Sequence, residues 1–398
     1  MQTSENKKLT NTQKGMKNCL FALLGLFLSL SVAANPHSDT ASSGHDDQVH
    51  SEEAHNESHE EGFDAGQMIM HHIADAHEIH FLTWNAGTEN ESDLSIHLPV
   101  ILWTNDGLKM FSSGHLYHNP VHADHGHAYQ HENFIMYDEV IYYANEHGHL
   151  EFDEYGAVLN DAPLDLSITK TVVGLLLTSI LILLIFLSVA KTYKRNPKEA
   201  PKGLQAWMEP LILFVRDDVV RPSVGEKKAD KFMPFLLTVF FFIWIANLLG
   251  LMSFIGGYNV MGSMAVTMVL AILVFIITTY HGNKHYWMHI VWPSGVPFLI
   301  KLILVPIEVV QIFLKPIVLM IRLTANITAG HIIILAFTAL IFIFGQSSAA
   351  AGYGVGAGSL IFMIFMFLIE LLVAFLQAYV FTLLSAIYFG SAVEEAHH

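Results

Sequence analysis

Ionisable side chains stand at regular intervals inside the most apolar stretch of this chain. Glu308, Lys315 and Arg322 follow one another every seven residues within Pro297–Phe344. Seven residues are close to two helical turns, so in a helix the three share one face. Gln311 and Asn326 fall on or near that face, and His331 lies further along. Glu370 and Gln377 repeat the spacing in the last apolar segment. An ionisable group inside a membrane span costs about 2.5–3.5 kcal/mol or more, and it faces a bundle interior, a partner or a water path. Several together make the pattern of an ion pathway. Arg322 keeps its charge at every accessible pH, whereas His331 and Glu370 can exchange protons. The structural alternatives are snorkelling of Lys301 and Lys315, a Glu308–Lys315 pair, and interhelical hydrogen bonding by Asn326 and Gln377.

The apolar segments that must position these groups are read from their length. Thr171–Ala190 carries no charge and is long enough for one span. Lys191, Lys194, Arg195, Lys198 and Lys202 follow it, which makes that end cytoplasmic by the positive-inside rule. Leu204–Val220 is amphipathic and suits the cytoplasmic interface. Phe232–Ile255 runs outward, the uncharged Gly256-Gly257 turns the chain, and Val260–Tyr280 returns. His281–Pro293 reads as an aromatic interfacial loop. Pro297–Phe344 and Ser359–Tyr388 are too long to stand upright in a bilayer of about 30 Å, so they must tilt or break. Pro306 and Pro316 could bend the first, and the uncharged Gly345–Gly358 reads as the hairpin between them. The expected fold is an all-α multi-pass membrane protein with about five embedded helices. It ends in a long, strongly tilted helical hairpin suited to wrapping another membrane object.

Composition divides the chain further. Its 398 residues are 53% hydrophobic and only 14% charged, with a mean hydropathy of +0.43. The net charge of −16 is unevenly spread. Residues 1–34 are basic, residues 35–165 set Lys109 alone against 25 carboxylates, and residues 166–398 are weakly basic. Acidic and membrane-embedded surfaces do not attract phosphates, so nucleic acid is excluded as a partner. A single cysteine, Cys19, excludes an internal disulfide and a cysteine metal site.

Residues 1–34 read as a signal peptide. Lys14 and Lys17 precede the apolar run Cys19–Val32, and Ala33-Ala34-Asn35 offers a cleavage site. An uncleaved first membrane helix is the alternative, and both place the following segment outside the cytoplasm. Residues 35–78 are acidic, His-rich and without apolar periodicity over 35–62, as in disordered chains. Residues 79–165 form a small strand-rich extracytoplasmic unit. Strands flank Asn105-Asp106-Gly107, and a second pair flanks Asp153–Gly156. Residues 35–165 hold 18 of the 24 histidines, with clusters at His71, His72, His77 and His80 and at His122, His125, His127 and His131. No two-plus-two ligand spacing stands out, so no metal site is assigned. Proton buffering and a tether for assembly are the other roles open to this segment.

The membrane residues resemble the a subunit (subunit 6) of F-type ATP synthases over roughly residues 165–398. The strongest piece is Pro306-Ile-Glu308, then Lys315-Pro316, Arg322-Leu323, Asn326 and Gly330. The second is Glu370 followed by Gln377-Ala378-Tyr379-Val380-Phe381. Glu209–Val220 and Asn247-Leu-Leu-Gly250 are also similar to the family. His331 and Glu370 look like an exchange of the Glu and His of many bacterial members, as in mitochondrial ones, so the two should approach each other. Gly250 stands where some members place an acid. The long His-rich segment lies outside the family core.

The resemblance implies a stator proton channel in the Fo sector of a bacterial inner membrane. Two aqueous half-channels pass protons to and from the carboxylates of a rotating c ring. Arg322 would face the ring carboxylate, favour its ionised form, and block direct passage between the half-channels. His331, Glu370, Gln377 and Asn326 would line the outer half-channel, with Asn247 helping at its mouth and Glu308 toward the cytoplasmic exit. The partners implied are the c ring, the b subunits, other ATP synthase subunits and the bilayer. The N-terminal segment would lie in the periplasm and the C-terminus in the cytoplasm. No cofactor is implied. No Gly-rich phosphate loop is present, so nucleotide chemistry belongs to partner subunits and the chain itself is not an enzyme. Two readings from other classes compete: a metal-ion transporter with a His-rich collector, and a periplasmic binding module on a passive anchor. A fixed Arg322 in the path would repel a metal ion, and burying Arg322, Glu308 and Glu370 in a passive anchor makes no energetic sense.

Overall fold

A computed structural model describes residues 65–66, 69, 73–84, 92–123, 126–145, 147–154, 156–195, 200–252, 256–292 and 297–394. The leader, most of the acidic segment, and His71, His72 and His125 lie outside these residues.

Alternation of apolar and polar residues builds the strand-rich unit. β1 (Glu78–Trp84) pairs with β2 (Ser92–His97). β3 (Pro99–Thr104) pairs with β4 (Gly107–Ser112) across Asn105-Asp106, with Thr104 opposite Gly107. Gly107 has φ +114°, which suits glycine at this turn. A short helix, α1 (Gly114–Tyr117), leads to a meander of β5 (Pro120–Ala123), β6 (Gly126–His131), β7 (Phe134–Tyr137) and β8 (Val140–Tyr143). Around Asp153–Gly156 the expected hairpin shrinks to one bridge, Phe152 to Val158. The Asp153 side chain takes the Ala157 N–H at 2.8 Å, closing a local turn. β9 (Leu164–Asp165) returns to the free edge of β3. Val100 and Leu102 point inward onto Leu116, Phe134, Met136 and Ile141.

Among the described residues, five helices are long and apolar enough to cross a membrane. The first, α2 (Lys170–Arg195), follows β9 almost directly. α3 (Leu204–Phe214) runs on through a π-helical stretch, Val215–Val220, into α4 (Arg221–Val224). α5 (Glu226–Leu251) is the second span and starts earlier than its apolar run, taking in the basic residues before Phe232. Apolar residues surround it on all sides, and such a helix belongs at the centre of a bundle. Phe240, Phe241 and Phe242 are fully buried there. A 3-10 turn, Val260–Gly262, precedes α6 (Met264–His281). The aromatic segment after His281 is helical rather than a loop: α7 (Lys284–Val291). Its preceding residue Asn283 donates from N and Nδ2 to Ala392 O and Val393 O at 2.9 and 3.0 Å.

The last two helices are α8 (Phe298–Ser347) and α9 (Ala349–Val393), of 50 and 45 residues. At 1.5 Å per residue they are about 75 and 68 Å long. α8 continues through Pro306 and Pro316. The hairpin expected over Gly345–Gly358 is confined to Ser348, whose hydroxyl caps α9 through the Ala351 N–H at 3.1 Å. The glycines there serve close packing instead. A Cβ on Gly352 would come within 2.8 Å of the Gly345 Cα, so small residues let the two helices meet at the turn. Lys228 and Asn283 take the Val393 carbonyl at the far end of α9, satisfying an acceptor that a helix C-terminus leaves unpaired.

Candidate functional site

The polar residues singled out in the sequence separate into three places. The first lies between α5, α8 and α9. Glu370 and Gln377 on α9 are buried, and Asn247 on α5 is 3% exposed. Asn247 Nδ2 donates to Ala374 O at 3.4 Å, between the other two on the same face of α9. Asn247 Oδ1 and Glu370 Oε2 are buried without a hydrogen-bond partner among the described residues. A buried polar atom left unpaired costs about 1–3 kcal/mol; Glu209 Oε2 and Thr382 Oγ1 share this state among the described residues, but only Asn247 and Glu370 meet across the same face of α9.

Glycine makes room for this cluster. A Cβ at Gly330 would overlap the Glu370 carboxylate, so only glycine lets Glu370 lie against α8 there. His331 is the next residue. The expected approach of His331 and Glu370 is therefore an adjacency through Gly330, and no direct hydrogen bond joins them among the described residues. On the other side, a Cβ at Gly250 would lie 3.6 Å from His331 Nε2 and 3.1 Å from Tyr258 O. Gly250 thus faces His331 with no acid of its own.

The second place is the outer face of the hairpin. Leu319 and Leu323 are buried and anchor α8. Arg322, between them in sequence, is exposed, and so is Asn326 one turn on. Around them lie exposed Phe313, Val318 and Ile321, with Leu368 and Leu372 exposed on α9. Asn326 therefore shares the open face with Arg322 and not the buried cluster with Glu370.

The third place is at the other end of α8. Lys315 does not pair with Glu308. Its ammonium sits over the Tyr388 ring, 5.4 Å from the centroid. Lys315 and Tyr388 line a small cavity with Thr278, Thr279, Tyr286 and Ser391. Tyr388 is within electrostatic reach of Arg322, and Tyr286 of Glu308. Lys301 stacks on Trp292 at 4.3 Å. Tyr258, by Gly250 and His331, and Tyr388, under Lys315, are neighbours of these groups that the sequence does not mark. Their contacts cross between helices, and no spacing in the sequence announces them.

In the strand-rich unit, His77 is buried between two carboxylates. Its Nε2 lies 3.3 Å from Asp165 and its Nδ1 3.5 Å from Glu139. Glu139 also accepts from the His77 N–H at 3.1 Å and from the Tyr117 hydroxyl at 2.8 Å. Burial alone pulls the imidazolium down, but Asp165 and Glu139 outweigh it and raise the pKa to about 9. Burial pushes both carboxyls up, and the same contacts more than reverse it, holding them below their ordinary values. Among the described residues no three or more His, Cys, Asp or Glu side chains converge as a metal site.

These features define a multi-pass membrane protein with a buried, under-satisfied polar cluster and a charged residue on an open apolar face. The sequence profile of the ATP synthase A chain family matches residues 172–390, and the chain belongs to that family. Residues 68–166 match a separate family, a domain of unknown function (DUF8433). The ATP synthase subunit a of Chloroherpeton thalassium is 39% identical over 262 residues, covering 63% of this chain and 75% of that one. ATP synthase subunit a 2 of Chlorobaculum tepidum is 40% identical over 265 residues, covering 64% and 72%. The subunit a of Anaeromyxobacter dehalogenans is 37% identical over 254 residues, covering 62% of each.

Proposed function

We propose that this chain is the stator proton channel of a bacterial Fo sector, with Arg322 facing the carboxylates of a rotating c ring. The observation that carries the reading is the position of Arg322. A guanidinium that cannot deprotonate stands exposed on an apolar helical face. Lipid alone is a costly neighbour for it, so that face calls for a partner carrying an acid at the same depth. A ring of helices with one carboxylate each meets that need, and two long helices of α8 and α9 offer the surface to hold it.

Protons reach the ring from one side through the cluster of His331, Glu370, Gln377 and Asn247. Glu370 and His331 transfer them, and Asn247 and Gln377 orient water or the carboxyl. The unpaired Glu370 Oε2 and Asn247 Oδ1 support a water-accessible route, since ordered water would satisfy both. Asn326 lies on the face presented to the ring beside Arg322. Arg322 favours the ionised ring acid, so the proton is released beside it. The fixed charge also stops a proton from crossing without rotation. Protons leave past Lys315, Tyr388 and Glu308 on the cytoplasmic side. Each charge that crosses gains about 2.3 kcal/mol per 100 mV. Nucleotide chemistry takes place in partner subunits, and b subunits join the assembly. The strand-rich unit lies in the periplasm and the C-terminus in the cytoplasm.

Replacing Arg322 with Ala tests the reading. In an assembled complex in inverted vesicles, ATP-driven acidification should vanish while the detached ATPase persists. Unchanged pumping by an assembled Arg322→Ala complex would sink it.

A further inference from the structure

The β1–β2 ribbon has two unlike faces, and its apolar face turns toward the membrane helices. Residues opposite each other in an antiparallel pair share a face, and side chains alternate along each strand. Glu78 stands opposite His97 and His80 opposite Ser95, while Ile79 stands opposite Ile96. One face is therefore Glu78, His80, Ser95 and His97. The other carries Ile79, Ile96 and, two residues along β2, Leu94. The polar face meets the rest of the strand-rich unit: the His97 ring lies 5.4 Å from His118 and 6.2 Å from Tyr117. On the apolar face, Ile79 is buried in one core with Leu175 of α2, Tyr258 and Val260. Phe81, at the register shift between His80 and Leu82, packs against that core too. A Cβ at Gly256, in the turn between α5 and α6, would come 2.8 Å from Ile79.

β2 carries the apolar face past the helices. Ile96 is 53% exposed and Leu94 64%. Opposite residues lie about 4.5–5.5 Å apart at Cβ, so Ile96 stands beside Ile79 at the α5–α6 turn. The unit is pinned at the same level on α2. Asp75 accepts from the Thr171 N–H at 2.8 Å and from the Thr169 hydroxyl at 2.9 Å, and the Lys170 N–H donates to Ala76 O at 2.9 Å. Thr171 opens the uncharged run of the first span, so the ribbon starts at the edge of the hydrocarbon. Below it α2 leaves Ile180 and Leu184 exposed, so this helix borders lipid. Composition narrows the occupant of the ribbon's open face. Residues 78–97 contain Glu78, Glu89, Glu91 and Asp93 and no Lys or Arg. Anionic headgroups repel such a segment, so the contact of Leu94 and Ile96 is apolar and owes nothing to charge.

We propose that the β1–β2 ribbon is an interfacial anchor, with Leu94 and Ile96 seated in uncharged lipid of the nearer leaflet beside the helices. The apolar side of an amphipathic element enters such an interface by about 5–10 Å without crossing it. The anchor keeps Ile79 and Phe81 pressed on the helices and gives the strand-rich unit a second hold besides the cap on α2. It rests on the membrane-spanning fold and is independent of the proton path.

The test uses the whole complex, carrying Cys19→Ser and otherwise free of reactive cysteines, in phosphatidylcholine liposomes. A nitroxide is attached at Ile96→Cys, and its collisions with oxygen, which concentrates in lipid, and with a water-soluble nickel chelate are read by power saturation. Leu184→Cys on α2 is the lipid reference, and Asp106→Cys at the exposed β3–β4 turn is the water reference. The oxygen-to-nickel ratio at Ile96→Cys should exceed that at Asp106→Cys several-fold and approach that at Leu184→Cys. It should hold in high salt, because no charge keeps the ribbon down. Leu94→Cys takes the place of Ile96→Cys if that complex fails to assemble. A ratio equal to that at Asp106→Cys would overturn the inference. So would low access to both reagents, which would mean that another protein subunit covers this face, and so would a fall of the ratio to the water value in high salt.

Discussion

The His77 cluster and the Glu370 cluster both bury ionisable side chains, yet they are built on opposite terms. His77 touches two carboxylates, and one of these also holds a tyrosine hydroxyl and a backbone N–H. Asp165 also accepts from the Ser167 N–H at 2.8 Å, so every side chain of that cluster has more than one partner or a charged one. Glu370 keeps an oxygen without a partner, as does Asn247. A fully paired cluster stabilises one arrangement, whereas an unpaired one holds groups ready for something that comes and goes. The contrast extends to surfaces. The strand-rich unit closes its apolar core over Val100, Leu102 and Phe134, while α8 and α9 leave broad apolar faces open. The path proposed for protons runs through the under-satisfied cluster, and the satisfied one serves the fold of the strand-rich unit.

The strongest way to break this contrast is to fill the space beside Glu370. Gly330→Ala places a methyl on the carboxylate and must push Glu370 away from α8. Proton pumping by the assembled complex should fall more than about tenfold, since misplacing a transfer group by an ångström costs on the order of 100-fold. Gly354→Ala is the matched control. No atom stands in the way of its Cβ, and alanine favours the helix, so pumping should hold. Equal pumping by both variants would remove Glu370 from the path.

The same contrast predicts a different failure in the strand-rich unit. His77→Ala leaves Glu139 and Asp165 buried without their counter-ion. Breaking such a pair costs about 3–5 kcal/mol. Thermolysin cleavage within the unit, followed against urea on the intact complex, should shift to much lower urea. Wild-type resistance would show that the cluster is ornamental to stability.

Much of the membrane half is legible in the sequence, and the reason is physical. A span needs an uninterrupted apolar run, and an intramembrane charge is too costly to occur by accident. Hence Arg322, Glu370 and Gln377 stand out without any structure. The turn at Ser348 does not, because glycines that serve close helix packing carry the same letters as glycines that serve loops. The His77 cluster is equally hidden. Its partners lie 62 and 88 residues away, and each looks like one more acid in an acidic segment. Lys170 reads as the polar edge of a span until the fold brings the strand-rich unit onto it, with its N–H donating to Ala76 O at 2.9 Å.

The pH response of the strand-rich unit sharpens the comparison. The His77 pKa is raised from 6.5 to about 9, so its stabilisation is full below 6.5 and is lost as pH climbs through about 9. Glu139 and Asp165 are lowered from 4.5 and 3.8. Their contribution is full above those values and is lost as pH falls through the lower folded ones. Thermolysin resistance of the unit should therefore be greatest between about 4.5 and 6.5 and decline toward pH 9. A flat profile from pH 6 to 9 would mean that His77 is not held as an imidazolium.

The smallest expected effect is at the surface of the same unit. Lys109 and Glu132 form an ion pair at 3.1 Å with both side chains largely in water. Water and salt screen such a pair, and ordering two long side chains offsets what attraction remains. The Lys109 ammonium also lies 5.3 Å from the centre of the Phe134 ring. Lys109→Met keeps an unbranched side chain and removes the charge, and with it both the ion pair and the contact of the ammonium with the ring. The urea dependence of cleavage should stay where the wild type has it, in high salt and in low. A clear loss would show that this acidic unit needs its single lysine as a charge, and that exposure alone does not separate ornamental pairs from structural ones here.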